Sequence, residues 1–281
     1  MEAQARDFFN QVNERLVAIY EPDEASMVTR LLLEELMGLR QLDLALNNLV
    51  HIKNKSEIEA AIDRLLLHEP IQHILGFAWF MDRKFEVSPD VLVPRQETEE
   101  LVHLILHENP GVSFKVLDIG TGSGIIPISI KLAWPDADVM GLDVSSAALA
   151  IAQRNATTLN ATIRWMEMDI LKECPDESFD IIVSNPPYIM DSEKQGMSPN
   201  VLNFDPELAL FVPNDDPLLF YRKIASYAAD HLTAGGKLYF EINELFGRQT
   251  AELVRTYGFD SVMLHQDLNG KDRMISAQRK A

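Results

Sequence analysis

Lys115-Val116-Leu117-Asp118-Ile119-Gly120-Thr121-Gly122-Ser123-Gly124 is an apolar run of strand length that closes on a glycine-rich turn. Ile125 to Ala133 then repeats apolar residues at helical spacing until Trp134-Pro135 stops it. Strand, tight turn and helix open a parallel βα unit, and the pattern recurs downstream. Asp138 to Asp143 is a second strand, and Ser145 is placed to cap the helix carrying Ala147, Leu149, Ala150 and Ala152. Thr162 to Asp169 and Phe179 to Ser184 are a third and a fourth strand. Pro217 opens a helix through Leu218, Phe220, Ile224 and Tyr227, and Gly235-Gly236 turns into the strand Lys237 to Ile242. After a helix from about Phe246 to Tyr257, the runs Ser261 to His265 and Arg273 to Ala277 flank the turn Asn269-Gly270 and read as an antiparallel addition. The expectation is an α/β domain with a doubly wound, mostly parallel, seven-stranded sheet.

Upstream the character differs. Residues 1–74 read as a small helical bundle: Phe8, Phe9, Val12, Leu16, Val17 and Tyr20 recur at helical spacing, Pro22-Asp23 breaks the run, and Glu24 begins another helix. Ser56 and Glu59 resemble a capping box before Ala60, Ile62, Leu65 and Leu66. A packing role and a partner-docking role both fit this region. His51, His68 and His73 lack metal-like spacing and read as structural or surface residues. Residues 75–93 are rich in β-formers around the turn Met81-Asp82-Arg83-Lys84 and read as a β-hairpin linker to a domain over 94–281. Within that domain, Ile189 to Asp216 has weak periodicity and reads as one long loop.

Composition bounds the function. The 281 residues are 47% hydrophobic and 8% aromatic, enough for a sizeable core. A formal net charge of -18 disfavours tight binding to a phosphate backbone, and solubility is its plainest account. The single cysteine, Cys174, excludes an intrachain disulfide, and no cysteine cluster offers a zinc site. Met1 to Asp7 is acidic without an apolar core, which argues against a signal peptide. No apolar run approaches the roughly 18–20 residues of a membrane span, so a cytoplasmic protein with no membrane partner is expected.

Three features carry chemistry. Gly120-Thr121-Gly122-Ser123-Gly124 lets the backbone pass close to a ligand, and Asp143 ends the next strand about twenty residues on, where a carboxylate accepts from a ribose diol. The alternative for Asp143 is a cap before Ser145. Asp169 ends the third strand, where an acid reaches an adenine amino group and Ile170 covers the ring; a strand-end turn is the alternative. The fourth strand ends in Asn185-Pro186-Pro187-Tyr188: two prolines cannot donate ladder hydrogen bonds, so the strand stops and leaves a polar amide at its carboxyl end. In an open α/β sheet that edge is where ligands bind.

The glycine loop together with Asn-Pro-Pro-Tyr resembles S-adenosylmethionine-dependent methyltransferases that modify planar nitrogens. Further stretches sharpen the likeness: Pro70 to Gly76, Pro94-Arg95-Gln96-Glu97-Thr98-Glu99, Asp118 to Gly124, Glu207 to Phe211 and Asp267 to Arg273. All are similar to the HemK/PrmC protein-(glutamine-N5) methyltransferases. Gln96 stands where that family has proline, and Val201 to Pro206 where it more often has a charged stretch. The resemblance implies a class I methyltransferase fold, S-adenosyl-L-methionine as cofactor, no metal, and class I peptide chain release factors as protein substrate. It implies that the Asn185 side-chain oxygen and the Pro186 carbonyl accept from the target amide, that Pro187 stiffens the turn and that Tyr188 packs on the amide. Arg95 and Glu97 gain a place beside the site, with helix-start charges as their alternative. The helical region becomes a substrate-docking domain. A nucleic-acid amino methyltransferase using the same four residues is the competing reading, and the net charge speaks against it.

Overall fold

The computed structural model describes residues 2–111 and 113–280. The chain divides into two compact units, Met1–Gly76 with Ser198–Phe204, and Phe77–Met197 with Asp205–Ala281.

The larger unit is built on seven strands: β1 (Lys115–Ile119), β2 (Asp138–Asp143), β3 (Arg164–Glu167), β4 (Phe179–Ser184), β5 (Leu232–Glu241), β6 (Phe259–Gln266) and β7 (Asp272–Arg279). Their order in the sheet is β6-β7-β5-β4-β1-β2-β3. The strands β5, β4, β1, β2 and β3 run parallel to one another, while β7 pairs antiparallel with both β5 and β6. Five helices flank the sheet: α1 (Gln96–Glu108), α2 (Ile125–Ala133), α3 (Ser146–Thr158), α4 (Leu219–His231) and α5 (Gly247–Thr256).

The central strands read as nearly unbroken apolar runs because helices cover both faces. Alternate residues feed two cores. Leu117, Ile119, Leu142, Ile182, Leu238 and Phe240 pack with Ile224 and Ala225 of α4 and Val254 of α5. Val116, Val139, Ile181, Val183 and Tyr239 pack with Leu101 and Ile105 of α1 and Ile128 of α2. Tyr239 further pins the end of α1, donating to Glu108 Oε2 at 2.8 Å and accepting from Asn109 Nδ2 at 2.9 Å. The hairpin Phe77–Phe80 with Arg83–Glu86 is antiparallel, and its Phe80 and Phe85 enter the second core.

The smaller unit has its own core of Phe8, Val12, Leu16, Leu32, Leu33, Ile58, Ile62 and Leu65. Its second helix, Pro22–Met37, begins at Pro22 rather than Glu24, because proline is well suited to a first helical position. The region is not wholly helical: Glu2–Gln4 pairs antiparallel with Leu49–His51.

Two strand expectations shift. The third strand is shorter, Arg164–Glu167, leaving Asp169 two residues beyond it. The stretch Ile189 to Asp216 is not one open loop. Ile189–Met190 pairs in parallel with Phe211–Val212, and short helical turns lie between them.

Gly141 in β2 lies directly under Trp165 of β3. A Cβ there would fall 2.5 Å and 2.7 Å from the indole ring. Gly141→Ala therefore has no room without moving that ring, and it is expected to cost about 1–3 kcal/mol. A urea midpoint equal to that of the unsubstituted protein would refute this.

Candidate active site

β1 and β4 are adjacent and parallel, yet their following chains leave in different directions, so a crevice opens at their carboxyl ends. The Ser184 hydroxyl donates to the Ile119 carbonyl at 2.6 Å and ties the two strands where they part. A cavity of about 350 Å³ lies beyond. Its walls come from the glycine loop, Asp143 to Ser145, Met168 to Leu171, Ser184 to Pro187 and Pro89 to Arg95, with Phe220 and Ile224 of α4.

The glycine loop has φ of +77° at Gly120, +53° at Gly122 and +82° at Gly124, a left-handed region costly for other residues. A Cβ on Gly122 would meet nothing within 4 Å, so at this position the backbone is bared to open space. The Gly122 N–H donates to Asp143 Oδ2 at 2.8 Å, and the Ser145 N–H donates to Asp143 Oδ1 at 2.9 Å. Ser145 caps α3, its hydroxyl accepting from the Ala148 N–H. Asp143 thus fills its local capping role and fixes the glycine loop as well. Each carboxylate oxygen keeps a further lone pair for a ligand hydroxyl.

Asp169 and Ile170 both line the cavity. Asp169 also serves its local turn, accepting from the Leu171 N–H at 3.0 Å and pairing with Lys172 at 2.9 Å. The lysine holds its carboxyl below the usual range. Ile170 is buried and apolar.

Asn185 is the first residue past β4. Its Nδ2 donates to Thr98 Oγ1 at 3.3 Å, and the Thr98 hydroxyl donates to Glu241 Oε2 at 2.7 Å. Glu241 ends β5 and is almost wholly buried. Its other oxygen accepts from the Tyr188 hydroxyl at 3.3 Å. Burial, then the Glu241 charge, push that hydroxyl upward, so it remains a donor. The Tyr188 backbone is held on both sides, its N–H donating to the Leu210 carbonyl and its carbonyl accepting from Asn243 Nδ2.

Of the residues expected here, the five of the glycine loop except Gly124, together with Asp143, Asp169, Ile170, Asn185, Pro186, Pro187 and Arg95, line one cavity. Gly124 stands behind the loop, where a Cβ would press on Ala152 and Ile128 at 3.0 Å. Tyr188 and Glu97 are not among the lining residues. Tyr188 turns to Glu241, and Glu97 stands within electrostatic reach of Glu241, Glu100 and Arg273.

Three residues without an expected role prove central. Thr98 and Glu241 connect to Asn185 as described. Asp205, from the stretch that departs from the family, pairs with Arg95 at 2.9 Å and accepts from the Val93 N–H at 3.3 Å, so it holds one wall. A carboxylate closing an apolar strand, as Glu241 does, was the available signal.

The N-terminal region matches the family model of the PrmC N-terminal domain over residues 7–76, and residues 97–202 match the Methyltransferase small domain. The release factor glutamine methyltransferase of Bacteroides thetaiotaomicron is 43% identical over 272 residues, covering 95% of this chain and 98% of its own length. That of Flavobacterium psychrophilum is 42% identical over 277 residues, covering 96% and 97%. Among solved structures, a methyltransferase from Pyrococcus furiosus superposes with a TM-score of 0.53 at 19% identity, covering 80% of this chain and all of that one. The last is a likeness of fold.

Asp118 in β1 gives the site a pH signature. Its two carboxylate oxygens and the Thr121 hydroxyl are buried without a hydrogen bond, although the hydroxyl is near enough to ease the charge. Burial pushes the Asp118 carboxyl up to about 7, and likewise that of Glu241. A carboxyl whose folded value exceeds its unfolded value binds its proton more tightly when folded. Its contribution is whole below the ordinary value of about 4 and is lost as pH rises through about 7. The ligand-free protein is therefore expected to lose stability between about pH 4 and pH 7, and Asp118→Asn to lose less over that span. Denaturant midpoints with the same pH slope in both proteins would refute the assignment.

Proposed function

The chain belongs to the release factor glutamine methyltransferase family, and on that premise we propose that it transfers a methyl group from S-adenosyl-L-methionine to the side-chain amide nitrogen (N5) of the glutamine in the Gly-Gly-Gln motif of class I peptide chain release factors. The observation that carries this reading is the orientation of Asn185. Its amide NH2 is committed to Thr98, so its carbonyl oxygen is the group left to accept from a ligand in a cavity that also holds the glycine loop.

The residues fit the cofactor. Gly120, Thr121, Gly122 and Ser123 offer close backbone approach, Asp143 has lone pairs for a ribose diol, and Ile170 gives an apolar wall for a ring with Asp169 at its edge. S-Adenosylmethionine supplies an electrophilic methyl group on a sulfonium.

A carboxamide nitrogen is a poor nucleophile because its lone pair is delocalised into the carbonyl. The chain's contribution is accordingly positioning and exclusion of water. The Asn185 side-chain oxygen takes one amide N–H and the Pro186 backbone carbonyl takes the other. Both acceptors favour positive charge on the nitrogen as it develops. Pro187 keeps the turn rigid, and Tyr188, anchored by Glu241, backs it. Arg95, held by Asp205, lines the substrate side, and Glu97 adds its charge beside Glu241 and Arg273 at the start of α1. Glutamate in place of glutamine would bring no N–H donor and would leave both acceptors unpaired.

The helical unit is assigned to docking of the protein substrate, with residues 1–74, the hairpin region 75–93 and residues 94–281 as the working divisions. The reaction belongs where release factors act, in the cytoplasm, and no helix among the described residues is long and apolar enough to cross a membrane. A net charge of -18 weighs against a nucleic-acid substrate.

Labelled S-adenosylmethionine incubated with release factor is expected to label the wild-type factor and not its Gln→Ala form. Equal label on both, or label on RNA or DNA instead, would overturn the proposal. In the same assay Asn185→Ala is expected to lose about 100-fold or more in turnover while still binding cofactor. Undiminished turnover would mean that another group holds the amide.

A further inference from the structure

An asparagine amide can sit in either of two orientations related by a half-turn, one presenting its oxygen and the other its NH2. Only the first suits a ligand that brings N–H donors, so something must choose between them. The chain of hydrogen bonds behind Asn185 makes that choice. A threonine hydroxyl has one proton, and that of Thr98 is given to Glu241 Oε2 at 2.7 Å. Thr98 Oγ1 is then left only as an acceptor toward Asn185, which must turn its Nδ2 to it at 3.3 Å. The Asn185 oxygen is thereby directed away from Thr98.

We propose that Thr98 and Glu241 form a polarity relay that fixes the amide orientation of Asn185, making both of them positioning residues for the acceptor amide. This rests on the methyl-transfer reading above and extends it to what sets the polarity of the site. Three features support it. Glu241 lies level with Asn185, because Phe240 is in register with Ser184. The same carboxylate takes the Tyr188 hydroxyl, so one buried group orients both ends of the Asn185 to Tyr188 turn. The position is also a costly place for a carboxyl: Glu241 is 1% exposed, and an apolar side chain would bury there at less expense. Such a side chain would free the Thr98 hydroxyl to donate to the Asn185 oxygen and turn the amide around.

Arg273 stands beside this carboxylate and eases its charge. It is itself held by Asp267 at 3.3 Å and faces Glu244 at 3.6 Å. The C-terminal turn therefore steadies the relay through Arg273.

The test is a comparison of Thr98→Val, Thr98→Ser and Glu241→Gln. Valine keeps the shape of threonine and removes the hydroxyl, whereas serine keeps the hydroxyl. Thr98→Val is expected to lower kcat by about 30- to 100-fold while KM for release factor and Kd for cofactor stay within about threefold. Thr98→Ser is expected to recover kcat to within about threefold of wild type. Glu241→Gln is expected to lower kcat in the same manner, since its NH2 can face Thr98 and release that hydroxyl. It also serves if Thr98→Val does not fold. A readout free of turnover is the Asn185 side-chain amide resonance in the ligand-free protein, which should shift or broaden in Thr98→Val and not in Thr98→Ser. Wild-type kcat in Thr98→Val, equal loss in the serine and valine variants, or a loss of kcat matched by loss of cofactor affinity would overturn the relay. A wild-type enzyme that leaves release factor unlabelled overturns the methyl-transfer reading instead, and the amide resonance then still decides the orientation.

Discussion

The structure depends on where β4 is made to stop. Pro186 and Pro187 have no backbone N–H, so pairing with β4 ends at Ser184, in register with Ile119 of β1 on one side and Phe240 of β5 on the other. β5 runs one residue further, to Glu241, and β1 gives way at once to the glycine loop. Three chain segments that would otherwise hydrogen-bond in a ladder are released at the same level of the sheet. The crevice of a doubly wound fold is a general consequence of its topology. What is particular here is that the prolines set its floor to within one residue, and so bring Asn185, Gly120 and Glu241 side by side.

That arrangement places acids where water cannot reach them. Asp118 sits in β1 among the apolar residues packed by α1 and α2, and Glu241 ends β5 under α1. Neither is a good contributor to stability, since burial favours the neutral carboxyl. Glu241 is eased from three directions: Thr98 in the first turn of α1, Tyr188 just past β4, and Arg273 in β7. α1 is held against β5 at both ends, by Thr98 with Glu241 at one and by Glu108 and Asn109 with Tyr239 at the other. The helix therefore cannot slide along the strand without breaking the contacts that orient Asn185. Packing of an outer helix and polarity of the site are one problem with one solution.

Most of the α/β unit was legible in the sequence because its strands are buried on both faces and punctuated by glycine and proline. The helix over Ile125–Ala133 ends at Trp134 as Pro135 requires, and the two terminal runs are indeed an antiparallel pair. What escaped reading is what depends on distant partners. The two-residue strands Ile189–Met190 and Phe211–Val212 exist only by pairing with each other, and Glu2–Gln4 only by pairing with Leu49–His51. Neither is long enough for an alternation of apolar and polar residues to show. The same holds at the site. The glycine loop, Asp143 and Asn185 to Tyr188 announce themselves by local pattern. Thr98 and Glu241 are separated by 143 residues and meet only because α1 docks on β5. Within the motif Pro94 to Glu99, Arg95 and Glu97 stand out by their charge, whereas the small hydroxyl of Thr98, one residue further on, touches Asn185.

A site that must tell an amide from a carboxylate faces a problem of direction rather than of shape, because the two groups have nearly the same outline. Shape complementarity in an apolar pocket separates such isosteres weakly, whereas an unpaired buried acceptor separates them strongly. An asparagine alone does not provide that separation, since its own amide carries both a donor and an acceptor end. Direction has to be imported from a group that is unambiguous. An ionised carboxylate only accepts, and a single hydroxyl passes that asymmetry on one step. With Glu241 in the ionised form that Thr98, Arg273 and Tyr188 favour, Glu241 and Thr98 are such a pair, and the burial that makes Glu241 costly to the fold also keeps water from the Thr98 side of Asn185, where it would satisfy either orientation equally. The instability carried by the carboxylate and the discrimination attributed to the asparagine thus have a common origin in the exclusion of solvent from the end of β5.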